Sequence, residues 1–193
     1  MPNETAVFID AGYLSRIAKH FGNGKYLKYS LHAFAINIAK EFGLWCEDIY
    51  FYTAPPFQCA IPTPEESKRR SDYDKFIKKI ASKRPTTYIR EGRCQKIDGV
   101  YKQKGVDGLM IKDLIVVAQR KQHKKVILIT SDTDFVQVLE ELKRDYGIKI
   151  ILAYYTDRKR GSGFSMSNHL WNICDEKLLL EKEHFFSSLQ PKL

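Results

Sequence analysis

Apolar and polar positions along the chain alternate between two rhythms. Ala6 to Ile9 is a short apolar run that stops at Asp10 and passes into Ala11-Gly12, a strand and a tight turn. Tyr13, Leu14, Ile17, Ala18 and Phe21 then recur at helical spacing, up to Gly22-Asn23-Gly24. A second helix is predicted from Ser30 through Phe34, Ile38 and Phe42 to Gly43. Cys46 to Ala54 is aromatic and β-branched, which predicts a strand. A Pro-rich loop, 55–64, follows, and Thr63-Pro64-Glu65-Glu66 supplies an N-cap, a first-turn proline and a capping-box glutamate. The helix starting there is predicted over about 64–84, with Phe76, Ile77 and Ile80 on its apolar side and Pro85 at its end.

Thr86 to Arg90 and Val100-Tyr101 are predicted as the arms of a hairpin turning at Ile97-Asp98-Gly99. Val106-Asp107 opens a helix carrying Leu109, Met110, Leu114, Val117 and Ala118. In residues 125–142, KVILITSDTDFVQVLEEL, the apolar run Val126 to Ile129 ends at Ser131, Asp132, Thr133 and Asp134. A helical pattern of Phe135, Val138, Leu139 and Leu142 begins at once. Gly147 stops it, and Lys149 to Tyr155 is the last strong strand. Residues 156–163, TDRKRGSG, read as a basic flexible loop, and Met166 to about Phe186 as mostly helical. Strand and helix alternate with no repeat and no linker. That predicts a single α/β domain over 1–186 with a mostly parallel sheet, and a loose tail over 187–193.

Charge narrows the class. The 193 residues carry 32 Lys plus Arg against 23 Asp plus Glu, a net +9. This balance favours a polyanionic partner, nucleic acid above all. No apolar stretch reaches the roughly 18 residues of a spanning helix, so no membrane is expected as partner. MPNETAVFID lacks a basic n-region and an apolar h-region. Cys46, Cys59, Cys94 and Cys174 form no CxxC pair, and no histidine stands at zinc-finger spacing from them. Reduced thiols and a cytoplasmic location are the simplest expectation. The five histidines do not cluster; none is assigned to catalysis, and His123 is expected in a solvated basic turn.

The acids add a constellation. Asp10 ends the first strand, while Asp132 and Asp134 follow a later one. Parallel strands joined by right-handed crossovers open these ends on one edge, and Asp107 at a helix entry can lie near it. Such edges bind ligands in open α/β sheets. Asp132 and Asp134 can share a site only if Asp132 lies in the turn before the helix, because residues two apart on a helix diverge. Capping is the alternative role for either. Converging carboxylates repel, and an all-oxygen set suits Mg²⁺ or Mn²⁺ rather than zinc. A basic chain with an acidic pocket is thus a candidate for metal-assisted phosphodiester cleavage.

FIDAGYL at 8–14, KGVDGLMIKD at 104–113 and ITSDTDF at 129–135 resemble the three signature blocks of NYN domains of the LabA-like type, relatives of PIN-domain nucleases. REGR at 90–93 resembles the family's hairpin region, and HLWNICDEKLLLE at 169–181 its last helix. The resemblance implies a PIN-like three-layer αβα sandwich and a divalent-metal-dependent ribonuclease, with an endonuclease mode as the working expectation. It implies Asp10, Asp107, Asp132 and Asp134 as both catalytic and metal-holding residues. Asp113 matches a further acid of the second block, its alternative being an exposed helix carboxylate. Tyr13 stands where many members have Asn, and Ser131 where many have Gly. An RNA-binding or regulatory module with little or no nuclease activity is therefore the second reading.

RNA, single-stranded or structured, is the expected partner; a second copy of the chain stays open as another. Arg93, Lys102, Lys104 and the loop bases Arg158, Lys159 and Arg160 lie nearest the proposed edge and are expected to neutralise phosphates. Tyr13, Tyr154, Tyr155 and Phe164 are candidates to stack bases, with packing as the alternative. A phosphotransferase with Asp-x-Asp after the first strand is disfavoured by Gly12, and no GxxxxGK[ST] loop is present.

Overall fold

The structure is a computed structural model that describes residues 3–157, 164 and 166–186. Arg158, Lys159, Arg160 and the tail 187–193 lie outside the described residues.

Strand β1 (Glu4–Asp10) runs into α1 (Ala11–Phe21), then α2 (Leu31–Lys40), β2 (Trp45–Thr53), α3 (Pro64–Ala81) and β3 (Thr86–Glu91). A ribbon of β4 (Arg93–Ile97) and β5 (Val100–Lys104) follows. The chain continues through α4 (Val106–Gln119), β6 (Lys125–Ile129), α5 (Val136–Tyr146), β7 (Lys149–Tyr154), α6 (Asn168–Ile173) and β8 (Glu176–Leu179). Six strands form one sheet in the order β3-β2-β1-β6-β7-β8, every neighbouring pair parallel.

Both faces of the sheet are covered, so its central strands read as continuous apolar runs. Val7 and Ile9 of β1, with Ile127 and Ile129 of β6, pack under α1 and α2. Ala6, Phe8, Val126 and Leu128 pack under α4 and α5 on the other face. This is the expected three-layer αβα sandwich. The local signals form as read. Thr63 caps α3 in a capping box with Glu66, and Gly147 takes the left-handed φ of 65° that ends α5.

Two segments differ from expectation. The Asp98-Gly99 turn is present, with φ of 50° and 77° as a primed two-residue turn demands. Its first arm, however, is β4, because Ile97 pairs with Val100 and Arg93 with Lys104. Residues 86–91 instead extend the main sheet beside β2. The C-terminal stretch is not mostly helical either. α6 lasts six residues, and β8 then pairs with β7. Leu178 packs on the core, Leu179 is exposed and Leu180 is buried, a two-residue period that suits a strand on the open edge of β7. Asp175 fastens this turn: its carboxylate accepts the Ile150 N–H at 2.8 Å and meets the Lys143 ammonium at 2.9 Å.

Candidate acidic site at the strand ends

β1 and β6 are neighbours, and Ile9 pairs with Ile129. The chain leaving β1 goes on to β2 on one side, and the chain leaving β6 goes on to β7 on the other. This reversal of strand order opens a crevice at the carboxyl ends of both strands.

Asp10 sits at its floor as the N-cap of α1. Its Oδ1 accepts the N–H of Gly12 at 2.8 Å and of Tyr13 at 3.2 Å, so the carboxylate is held in one orientation. Burial pushes its pKa up; the two N–H groups and Arg16 oppose that shift, and Asp107 adds to it. Asp107 stands in the first turn of α4, whose N-cap, Gly105, offers no side chain. Burial raises the Asp107 pKa too, followed by repulsion from Asp132 and Asp134. Asp107 is therefore the connecting member, feeling β6's acids while adding to the load on Asp10.

Asp132 lies in the turn before the helix. It caps a short 3₁₀ turn, Thr133–Phe135, by accepting the Asp134 N–H at 2.9 Å, while its own N–H donates to the buried Thr130 hydroxyl at 3.2 Å. The geometric condition for the two acids to share a site is thus met. Asp10 and Asp107 line one cleft, and Asp134 lines another with Thr133 and His169. Among the described residues, only Glu47, Asp48 and His123 bring three ligand atoms within 4.8 Å of one another.

A cleft of about 320 Å³ next to Asp10 and Asp107 is also lined by Arg16 and Gln103, which sequence reasoning missed. Arg16 was legible in principle, one helical turn beyond Gly12 on α1. Its guanidinium lies 5.7 Å from the centre of the Tyr13 ring. Gln103 needed the correct ribbon register. Directly opposed residues share a face of an antiparallel pair. Arg93, Lys102 and Lys104 therefore share one exposed face, Arg93 opposite Lys104 and Gln95 opposite Lys102. Gln103 and Cys94 share the other, which turns toward Gly12 and the core. The three bases face solvent on the reverse side of the ribbon from Gln103.

Other expectations change. Tyr13 and Tyr154 are buried and offer no stacking face. Tyr155 and Phe164 pack on each other and on His20, with centroids 5.0–5.1 Å apart. Asp113 is not an exposed helix carboxylate: it is buried against Arg90 and Tyr52. His123 is 3% exposed rather than solvated, because the turn before β6 folds it under the start of β2. The four cysteines are free, and no helix among the described residues is long and apolar enough to cross a membrane.

The αβα sandwich with acids at its topological switch point is the PIN-like fold of the family whose model matches the sequence. The NYN domain family matches residues 4–180, and the chain belongs to that family. The uncharacterized protein y4oD of Sinorhizobium fredii is 38% identical over 56 residues, 29% of this chain and 26% of that protein, so the match spans about a quarter of the relative's length. The crystal structure of VPA0982, a protein of unknown function from Vibrio parahaemolyticus, superposes with a TM-score of 0.60. The superposition covers 95% of this chain and 96% of that one at 14% identity, a likeness of fold.

Proposed function

We propose that the protein is a divalent-metal-dependent ribonuclease that cuts RNA internally at the acidic crevice. The observation that carries this reading is the cleft that Asp10 and Asp107 line together with Arg16, beside the neighbouring strand end where Asp132 caps its turn; the Asp107 carboxyl is pushed up there by burial and by Asp132 and Asp134. Acids from three distant segments repelling one another at a switch point fit a cation, and their oxygen-only donors fit Mg²⁺ or Mn²⁺. Asp10, Asp107, Asp132 and Asp134 would hold it. Such an ion, when bound, polarises a phosphoryl oxygen and supplies hydroxide at neutral pH.

The chain's own residues do the rest. The α1 amides fix Asp10, and the Thr130 hydroxyl and the 3₁₀ turn fix Asp132, so the carboxylates need little reordering. Arg16, exposed at the rim, is placed to meet a phosphate flanking the scissile bond. The ribbon bases Arg93, Lys102 and Lys104, with Arg158, Lys159 and Arg160, would guide the RNA backbone at longer range.

The test is a panel of RNA and DNA substrates with Mn²⁺ or Mg²⁺, with and without EDTA. Asp134→Asn should purify folded, bind RNA and cleave on the order of 10²-fold more slowly. Equal rates for the two proteins would remove this assignment. A second reading, RNA binding with little turnover, draws on Tyr13, whose hydroxyl is spent on Tyr155 at the position where the resemblance implies an Asn. Metal uptake without RNA separates the two, since a vestigial site takes up Mn²⁺ weakly or not at all.

A further inference from the structure

At the opposite, amino-terminal edge of the sheet lies a second constellation. His123 precedes β6, and its side chain is 1% exposed. Neither ring nitrogen has a hydrogen-bond partner, although both are buried. Nδ1 is 4.0 Å from a carboxylate oxygen of Glu47, and Nε2 is 3.7 Å from one of Asp48. One ligand atom from each of the three residues lies within 4.8 Å of the others.

The backbone is arranged for this meeting. Successive side chains of a regular strand point to opposite faces. Here Thr5 of β1 pairs with Cys46 and Ala6 pairs with Asp48, so Glu47 is an inserted residue at a β-bulge. A bulge re-aims side chains, and this one lets two consecutive acids reach the same imidazole. On the other side, Lys121 takes a left-handed φ of 53° just after α4, which turns the chain so that His123 points inward. The separations of 3.7 and 4.0 Å exceed the roughly 2.7–2.9 Å of a charge-assisted hydrogen bond. The 3.7 Å from Nε2 to Asp48 is a few tenths of an ångström wider than the roughly 3.3 Å between ligands that bond lengths of about 2.0–2.1 Å set around a tetrahedral ion, whereas the 4.0 Å to Glu47 runs from the other ring nitrogen. Glu47, half-exposed, has room to swing its carboxylate toward an ion held at Nε2 beside Asp48.

We propose that Glu47, Asp48 and His123 form a second metal site, selective for a divalent transition ion such as Zn²⁺. One imidazole nitrogen and two carboxylates are the ligands, and water completes the shell. The imidazole distinguishes it from the oxygen-only crevice, which favours Mg²⁺ or Mn²⁺. The ring nitrogen that does not bind the ion keeps its proton and donates to a carboxylate oxygen, fixing the tautomer. The ion ties the start of β2 to the turn before β6, the two strands flanking β1. Its role is to hold that edge together; it is independent of the ribonuclease reading.

The experiment is calorimetric titration of Zn²⁺ into the whole protein in excess Mg²⁺, which fills the oxygen-only crevice. One Zn²⁺ should bind per chain, raise the melting temperature, and shift the His123 ring resonances in NMR spectra. Glu47→Gln should weaken binding tenfold or more and His123→Gln should abolish it, while Asp134→Asn leaves it unchanged. If His123→Gln does not fold, Glu47→Gln, altering a half-exposed side chain, still decides. The proposal is overturned if no Zn²⁺ binds in Mg²⁺, or if uptake is insensitive to Glu47→Gln. It is equally overturned if the His123 ring resonances do not respond to Zn²⁺.

Discussion

The Tyr13 hydroxyl accepts the backbone N–H of Tyr155 at 2.9 Å and donates to the Tyr155 carbonyl at 3.3 Å. One side chain of α1 thereby satisfies both backbone groups of the residue that follows β7. The hydroxyl is a structural clasp on the end of β7, while the Tyr13 N–H bonds Asp10. Tyr13→Phe should lower unfolding free energy by about 1–2 kcal/mol, read from the urea midpoint, because two backbone groups lose their partner. RNA cleavage per folded molecule should stay within about twofold. A collapse of cleavage at unchanged stability would return the hydroxyl to the site.

Asp113 separates support from chemistry. Its carboxylate accepts Arg90 Nε at 2.7 Å, Arg90 Nη2 at 3.3 Å and the Tyr52 hydroxyl at 3.1 Å. Burial, then the Asp113 charge, keeps the Tyr52 phenol neutral far beyond the usual range. Asp113→Ala leaves a buried hydroxyl and a guanidinium without their acceptor, at a cost of about 2–3 kcal/mol, since Arg90 is partly solvated. The folded fraction should bind Mn²⁺ as the parent does. Loss of Mn²⁺ binding without loss of stability would make Asp113 part of the acidic site after all.

Gly92 joins β3 to the ribbon where two backbones nearly touch. A Cβ there would come within 2.5 Å of the Lys104 carbonyl oxygen and 2.7 Å of Val106 Cγ2. Gly92→Ala must therefore push the ribbon or the start of α4, which carries Asp107. Cleavage should fall by more than tenfold while far-ultraviolet circular dichroism stays near the parent's. Unaltered cleavage would show that the displacement is absorbed by the ribbon alone.

His32 gives the fold an acid-side weakness. It is buried in α2 with Nε2 3.0 Å from the Thr87 hydroxyl, and burial, then the Lys83 charge, lowers its pKa. The unfolded chain then binds a proton that the folded chain resists. The stability this contributes is complete above the unfolded value of about 6.5 and is lost as pH falls toward the lowered folded value. Melting temperature should drop more between pH 7.5 and 5 for the parent than for His32→Gln. Parallel drops would assign the acid sensitivity elsewhere.

Much of the fold was legible because its signals are local. The Thr63 capping box, the Gly147 stop and the apolar run of β6 each depend on neighbours within a few residues. So did the turn position of Asp132, since Ser131 to Asp134 sit between a strand run and a helical face. The misreadings fall where a partner distant in sequence decides. HLWNICDEKLLLE carries helical and alternating spacings together, and the open edge of β7 selects the strand over Glu176–Leu179. Thr86–Glu91 reads equally well as a hairpin arm until β2 supplies a parallel partner.

Sequence alone thus determined which acids leave strand ends and helix starts, because capping and periodicity act within a turn or two of chain. Only the tertiary structure decided what each charge meets. Strand order sets Asp107 against Asp132 and Asp134, and spends Asp113 on Arg90, 23 positions away. A single inserted residue in β2 aims Glu47 and Asp48 together at a buried His123. Electrostatic and coordination partners are chosen through space, and no local pattern records which distant segment will arrive.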